Sequence, residues 1–308
     1  AILVAHPNND CHTEKYKVPS EVLTQQYIDE LQKKITPSTR LIVLPETALT
    51  NAGWHHELPN SPSLALCREF LKKHPQAQMI TGGIIFKDMG KINVYKEVNL
   101  NYASQHDYWY YAYNAALQID SSKNLAVHCK QHLVPFEERI PYPKVFGFTK
   151  GLLGKLGFWH FETNIPYQNN FVTPVANVTP LICYESIFGA TTARTVNKGS
   201  ELLLVMLNEG WHKSLVGASQ FMYYSCLRAI ENRRDVVRSS NYGYSACINQ
   251  KGEVVSSFSE RTATAINYTV KLNNSKTFYM QHGDWIGKLA SWLLVVLLLY
   301  LGYRLLFS

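Results

Sequence analysis

The apolar stretch at residues 286–307 constrains this chain more than any other segment. Its only charges are Lys288 near one end and Arg304 near the other, where long side chains can reach an interface. A helix over these 22 positions spans roughly 33 Å at ~1.5 Å per residue, enough to cross the hydrocarbon core of a bilayer. Trp285, Trp292, Tyr300 and Tyr303 stand where interfacial aromatics belong. A helix on the surface of a soluble domain would carry one apolar stripe, whereas residues 294–299 are apolar on every side. We therefore read 285–308 as a transmembrane helix and 1–284 as the domain it anchors.

The remainder suits a large folded domain. The chain has 308 residues with 46 % hydrophobic and 17 % charged side chains, which excludes disorder and coiled coil as the main structure. The net charge of +7 is modest and spread along the chain. It suits an anionic membrane surface, and no nucleic-acid motif accompanies it. Six cysteines are scattered without a CxxC pair, so a zinc ribbon or thioredoxin-like site is not expected, although some thiols could be paired. His55-His56 and His128 with His132 lack an HExxH context. We expect no metal and no cofactor. Neither a P-loop nor GxGxxG is present, so no nucleotide site is expected. The chain opens directly into the strand-like Ile2-Leu3-Val4-Ala5, and we expect residues upstream of Ala1.

Periodicity and breakers give a coarse map. Strands are expected at 41–44, 79–86, 178–182 and 202–207, hairpins at 114–128 and 244–258, and helices at 20–34, 61–73, 185–197 and 215–238. This alternation with adjacent strand pairs predicts an α/β layer structure with a mixed sheet. Residues 142–170 do not fit it. Phe146, Phe148, Leu152, Leu153, Leu156, Phe158, Trp159 and Phe161 are crowded among glycines and lysines. Either a loop packs on its own domain there, or an apolar arm dips into lipid while lysines meet phosphates.

Three residues stand at strand ends: Glu46 after Leu44-Pro45, Lys130 after His128-Cys129, and Cys183 after Leu181-Ile182. A thiol at a strand-to-helix turn would be exposed and would feel the positive helix end, favouring thiolate. A carboxylate can take its proton and an ammonium can stabilise an oxyanion.

With their flanks these residues are specific. Leu44-Pro45-Glu46-Thr47-Ala48, Lys130-Gln131-His132-Leu133-Val134-Pro135-Phe136-Glu137-Glu138 and Ile182-Cys183-Tyr184-Glu185 resemble, in order, the three signature segments of the nitrilase superfamily. Asn208-Glu209-Gly210-Trp211, the run from Arg228 to Arg234, Asn241 and Gly243 look like its apolipoprotein N-acyltransferase branch. His6, Tyr16, Glu137, Glu209 and Tyr242 depart from the usual pattern of that branch. The resemblance implies a nitrilase-like α-β-β-α sandwich over 1–284, followed by the membrane helix. It implies ping-pong acyl transfer with Glu46 as general base, Cys183 as nucleophile and Lys130 as oxyanion stabiliser. Glu138, Tyr184, Glu185 and Trp211 would support the site or bind substrate. The acyl donor would be a phospholipid, typically phosphatidylethanolamine. The acceptor would be the α-amino group of a diacylglyceryl-cysteine at a lipoprotein N-terminus. The setting would be a bacterial inner membrane, with the domain facing the periplasm. Two other readings of the residues remain open: a membrane-tethered amidase or nitrilase acting on a small C–N substrate, and a non-catalytic binding module.

Overall fold

A computed structural model describes residues 1–90, 100–103, 108–155, 160–163, 170–211, 215–259 and 263–307. In chain order its elements are β1 (Ile2–His6), α1 (Ser20–Lys34), β2 (Leu41–Val43), β3 (Leu49–Trp54), α2 (Pro62–Lys72), β4 (Gln78–Gly90), β5 (Asn101–Ala103), β6 (Tyr108–Ile119) and β7 (Leu125–Cys129). There follow α3 (Pro143–Phe146), α4 (Lys150–Lys155), β8 (Phe171–Val172), β9 (Asn177–Ile182), α5 (Gly189–Val196), β10 (Leu202–Leu207) and α6 (Leu215–Asn232). The last elements are β11 (Asp235–Ser240), β12 (Ser245–Ile248), β13 (Val254–Phe258), β14 (Thr264–Tyr268), α7 (Phe278–His282) and α8 (Trp285–Phe307).

Two mixed sheets form. The first runs β14-β1-β2-β4-β6-β5, with β3 on β4 and β7 on β6; the second runs β13-β12-β11-β10-β9-β8. Strand periodicity explains why they stack. Ile2, Val4, Leu41 and Val43 face Val178, Ile182, Leu202, Leu204 and Met206 across the inter-sheet core. The alternate residues Leu3, Ala5 and Ile42 face α1 and α2 through Leu23, Leu31, Leu64 and Leu71. On the far side Leu203, Val205 and Leu207 meet Ala193 of α5, Met222 and Ala229 of α6, and Met280 of α7. Both faces of the central strands are thus apolar, and helices must cover each outer face. The α-β-β-α order results.

The sheets are also stitched by polar contacts at one end. Ser239 Oγ of β11 donates to the Ala5 carbonyl at 2.8 Å, and Asn241 Nδ2 donates to the Asn9 carbonyl at 2.8 Å.

Two expected elements differ. The helix expected over 215–238 ends at Asn232, Arg233 turns with φ +51°, and residues 235–240 form the buried strand β11. Asp235-Val236-Val237-Arg238 reads equally well as the tail of a helix. Pairing with β10 on one side and β12 on the other decides against that, because it buries every residue of the strand. The helix expected over 185–197 is a 3-10 turn, Cys183–Ile187, followed by α5 from Gly189.

Residues 142–155 form α3, a 3-10 turn at Gly147–Thr149, and α4. Tyr142 and Phe148 are 77 % and 83 % exposed, which no packing on the domain would leave so. Phe161 instead is buried against Ile84 and Ala112. Leu156, Phe158 and Trp159 lie outside the described residues. All 23 residues of α8 are unburied within the chain, as a lipid-facing helix requires.

Gly82 of β4 positions the end of β2. Its N–H donates to the Pro45 carbonyl at 3.1 Å, and a Cβ there would collide with the backbone of Pro45, Glu46 and Thr47. Gly82→Ala is expected to lower stability by ~1–3 kcal/mol through overpacking, read from the urea midpoint, and to displace Glu46. An unchanged midpoint would mean that this backbone approach is not rigid.

Candidate active site

Each site residue is placed by a strand end. The backbone N–H of Leu44 extends the β2–β4 pairing to the Ile80 carbonyl at 2.9 Å, and Pro45 then turns the chain away. Glu46 comes next, and Thr47 takes φ +48°. Lys15 Nζ, fully buried, donates to the Glu46 carbonyl at 3.0 Å and fixes the turn from the other side. Lys130 succeeds β7, and its N–H continues the β6–β7 pairing to the Asn114 carbonyl at 2.8 Å. Glu138 sits on a loop closed by its own N–H to the Val134 carbonyl, 2.9 Å, and by the Val134 N–H to Glu138 Oε2, 2.8 Å.

These segments converge on one ammonium. Lys130 Nζ lies 3.0 Å from Glu46 Oε1 and 2.8 Å from Glu138 Oε1. Asn114 Nδ2 donates to the same two oxygens at 2.7 and 3.2 Å. Both carboxylates therefore share a cation and an amide, which offsets their mutual repulsion. Burial opposes the Lys130 charge, but Glu138 and Glu46 outweigh it and hold the ammonium well above its ordinary pKa. Sequence reasoning does not single out Asn114. Its one signal is its place on the strand paired with the one that delivers Lys130.

Cys183 ends β9 from the second sheet, at φ +50°. A non-glycine residue in that region carries ~1–3 kcal/mol of strain, which the surroundings must hold in place. Burial, then the Glu46 carboxylate, push the thiol pKa well above its ordinary value, with Lys130 pulling the other way. The expectation of a dipole-favoured thiolate is therefore corrected. Cys183 opens a short 3-10 turn instead of a long helix, so little helix dipole acts on the sulfur. The surrounding charge is that of two carboxylates around one cation. The neutral thiol is the resting form, and a base is needed to remove its proton.

Glu185 joins the two sheets. It accepts from the N–H of Ile182 at 2.8 Å and of Gln131 at 2.7 Å, and lies 3.6 Å from His128 Nε2. Although burial opposes its charge, His128 and these N–H groups hold its carboxyl below the usual range. The Tyr184 ring packs edge-on to Phe188, 5.1 Å between centroids. Trp211, 47 % exposed, is not a core aromatic. It stacks on Tyr16 at 5.3 Å, and the Tyr16 hydroxyl bonds Thr47 Oγ1 at 3.2 Å. The site wall thus connects back to the turn of Glu46. Glu209, two residues before Trp211, is tied to fully buried Arg238 at 2.6 Å. Arg238 is not legible as a site residue in the sequence, because it falls within the segment that reads as helix and folds as β11.

All six cysteines are free. Among the described residues no group of three or more His, Cys, Asp or Glu side chains is placed to hold a metal.

Comparison with known proteins agrees with this fold. Residues 22–278 match the carbon–nitrogen hydrolase family. The chain is 31 % identical over 183 residues to the apolipoprotein N-acyltransferase of Thermotoga maritima, covering 59 % of this chain and 36 % of that protein. It is 30 % identical over 318 aligned positions to apolipoprotein N-acyltransferase 1 of Treponema denticola, covering 97 % and 56 %. The chain therefore spans between about a third and just over half of the length of these relatives. Among solved structures, a nitrilase-superfamily protein of Saccharomyces cerevisiae superposes with a TM-score of 0.56 at 15 % identity, covering 86 % of this chain and 87 % of that one. An amidase of Nesterenkonia sp., bearing a covalent adduct at its active-site cysteine, superposes with a TM-score of 0.58 at 12 % identity, covering 94 % and 96 %. At such identities these structures establish the fold alone.

Lys15 supplies a test of the site's electrostatics. Burial lowers its pKa to about 8, against the pull of Cys11 and Glu46. On the Lys15 site the unfolded chain, with Lys near ~10.4, binds more protons than the folded chain between those values, so the contribution of Lys15 to stability rises with pH across that window. Lys15→Met should remove this contribution, so that the stability of wild type minus that of the variant grows by on the order of 3 kcal/mol between pH 7 and 10.5 in urea unfolding followed against pH. Parallel curves for the two proteins would show that burial does not lower the Lys15 pKa.

Proposed function

Because the chain belongs to the carbon–nitrogen hydrolase family, we propose that it acts as a phospholipid:apolipoprotein N-acyltransferase. The observation that carries the reading is the Lys130 ammonium held between Glu46 and Glu138, beside a nucleophile turn whose thiol is kept neutral. The names of the relatives, the unburied apolar helix α8 and the exposed Tyr142, Val145, Phe148 and Leu152 support a lipid substrate.

In the first half-reaction Glu46 takes the Cys183 proton as the sulfur attacks an ester carbonyl of the phospholipid, typically phosphatidylethanolamine. The carbonyl oxygen becomes an oxyanion, stabilised by Lys130 Nζ and by the N–H of Tyr184 in the first turn of the 3-10 segment. Collapse breaks the C–O bond, Glu46 returns the proton to the leaving lysophospholipid alkoxide, and a thioester remains on Cys183. In the second half-reaction the neutral α-amino group of a diacylglyceryl-cysteine attacks the thioester. Glu46 accepts a proton from the nitrogen, the C–S bond breaks, and Glu46 gives that proton to the departing sulfur, which restores both the thiol and the carboxylate. Glu138 holds Lys130 and orients the incoming amine. Glu185 holds the Lys130 loop against β9, and Trp211 lines the approach. No cofactor enters either step. Both substrates are amphiphiles of one bilayer, so an anchor and the exposed apolar side chains of 142–152 would keep the site at the surface and help exclude water that would hydrolyse the thioester. We place the enzyme in a bacterial inner membrane with domain 1–284 on the periplasmic side and 285–308 crossing the bilayer.

The detergent-solubilised chain incubated with phosphatidylethanolamine and no acceptor should gain one acyl mass, labile to hydroxylamine and absent from Cys183→Ala. Ammonia release from small amides or nitriles, with no adduct, would falsify the transferase and favour a tethered hydrolase. Lys130→Met should cut adduct formation by ~10²–10³-fold, the usual cost of losing an oxyanion donor.

The acceptor amine must be unprotonated. Transfer to a diacylated peptide should therefore fall about tenfold per pH unit below ~7.7, the α-amino range. A flat profile from pH 6 to 8 would exclude the free amine as the attacking species.

A further inference from the structure

The turn that carries Cys183 ends under an arginine from another element. The carbonyls of Ser186 and Ile187 close the 3-10 segment, where a helical segment leaves acceptors without internal partners. Arg228 of α6, 4 % exposed, donates through Nη1 to both, at 3.0 and 2.9 Å. Its Nη2 donates to Glu231 Oε1 at 2.6 Å. The Glu231 carbonyl accepts from Thr277 Oγ1 at 2.6 Å, and the same hydroxyl caps α7 by accepting from the Met280 N–H at 3.1 Å.

Gly189 lies beneath this cluster. A Cβ there would sit 2.7 Å from Arg228 Nη2, 2.7 Å from the Tyr279 hydroxyl and 2.9 Å from Glu231 Oε2. Three side chains from α6 and α7 thus close over the junction between the nucleophile turn and α5. Only Gly283 and Asp284 separate α7 from α8, and Asp284 Oδ1 accepts from the Gly287 N–H in the first turn of α8 at 2.8 Å.

We infer that Arg228 is a positioning residue for the nucleophile. By gripping the Ser186 and Ile187 carbonyls, it holds Cys183 in its left-handed conformation, and through Glu231 and Thr277 it ties that turn to the helix α7 that leads into α8. The inference rests on reading Cys183 as the nucleophile. A guanidinium is needed because one planar fork must address two carbonyls and a carboxylate at once, which an ammonium on a flexible stem does not reproduce. Without the grip the turn relaxes toward negative φ and carries the sulfur away from Lys130.

The test uses iodoacetamide on the detergent-solubilised full chain, with alkylation of Cys183 followed against pH by peptide mass spectrometry. Circular dichroism and melting temperature report the fold. Arg228→Lys and Arg228→Gln should each slow Cys183 alkylation at pH 8 by about tenfold, the size expected for losing a charged hydrogen bond, and move the profile to higher pH. Because Arg228→Lys keeps the charge, failure of lysine to restore the profile separates geometry from electrostatics. Thr277→Val should give a smaller shift in the same direction with the fold retained. A wild-type profile in Arg228→Lys, or a lowered melting temperature with no change in the Cys183 profile of the folded protein, overturns the inference. If the variants shift the profile while wild type shows no acyl adduct from phosphatidylethanolamine, the assigned reaction fails and the role of Arg228 stands.

Discussion

The Lys130 ammonium is 1 % exposed and lies between two carboxylates, and the placement of the other site groups follows from keeping it there. Moving such charges out of water costs several kcal/mol per ion, and only close geometry with further hydrogen bonds offsets that cost. Glu46 is therefore held by three independent constraints: the end of β2, the missing side chain of Gly82 and the Lys15 bond to its carbonyl. Glu138 is held by its own loop, and Asn114 bonds both acids. Burial, and then the net negative charge of two carboxylates around one cation, keep the Cys183 proton on sulfur. Glu46, whose charge adds to burial in keeping the thiol neutral at rest, is also the group proposed to remove its proton.

The acid and the cation come from one sheet and the thiol from the other, so the site exists only where the sandwich closes. Apolar packing brings the sheets face to face but sets their sliding register weakly. Directional contacts at the site end finish the alignment. Ser239 reaches the carbonyl of Ala5, and Glu185 bonds N–H groups just past β7 and at the end of β9 with a single carboxylate. A buried anion fed by N–H groups from both sheets tolerates little displacement of either. Arg228 applies the same logic to the other end of the nucleophile turn, through carbonyls instead of N–H groups.

Two apolar surfaces are exposed among the described residues. The helix α8 has no partner face within the described residues, and Tyr142, Phe148 and Leu152 project from the segment just after the Glu138 loop. Large exposed side chains of this kind are costly in water. Phe161 shows that the crowding at 142–170 is not uniform, since it turns inward against Ile84 and Ala112.

Much of this was legible in the residues. The unbroken apolar run Leu202-Leu203-Leu204-Val205-Met206-Leu207 suits a strand buried on both faces, and the 286–307 run is long and apolar enough to cross a bilayer. Leu-Pro-Glu, Lys-Gln-His-Leu and Cys-Tyr-Glu each mark a strand end, because a strand run stops beside a polar residue suited to chemistry. The segment at 233–238 was not legible. Its local preferences suit a helix, and only the vacancy for a strand between β10 and β12 makes it one. The roles of Asn114, Lys15 and Arg228 were equally hidden, because each acts on a residue at least 24 positions away, or on carbonyls more than 40 positions away in the case of Arg228. Sequence by itself determined most element types, the two-faced strands and the long apolar C-terminal helix, and it singled out the candidate reactive groups, since these depend on local pattern and side-chain chemistry. The tertiary structure alone decided which charges share the Lys130 ammonium and which state the Cys183 proton takes, since desolvation and Coulomb attraction depend on distances that no local pattern encodes.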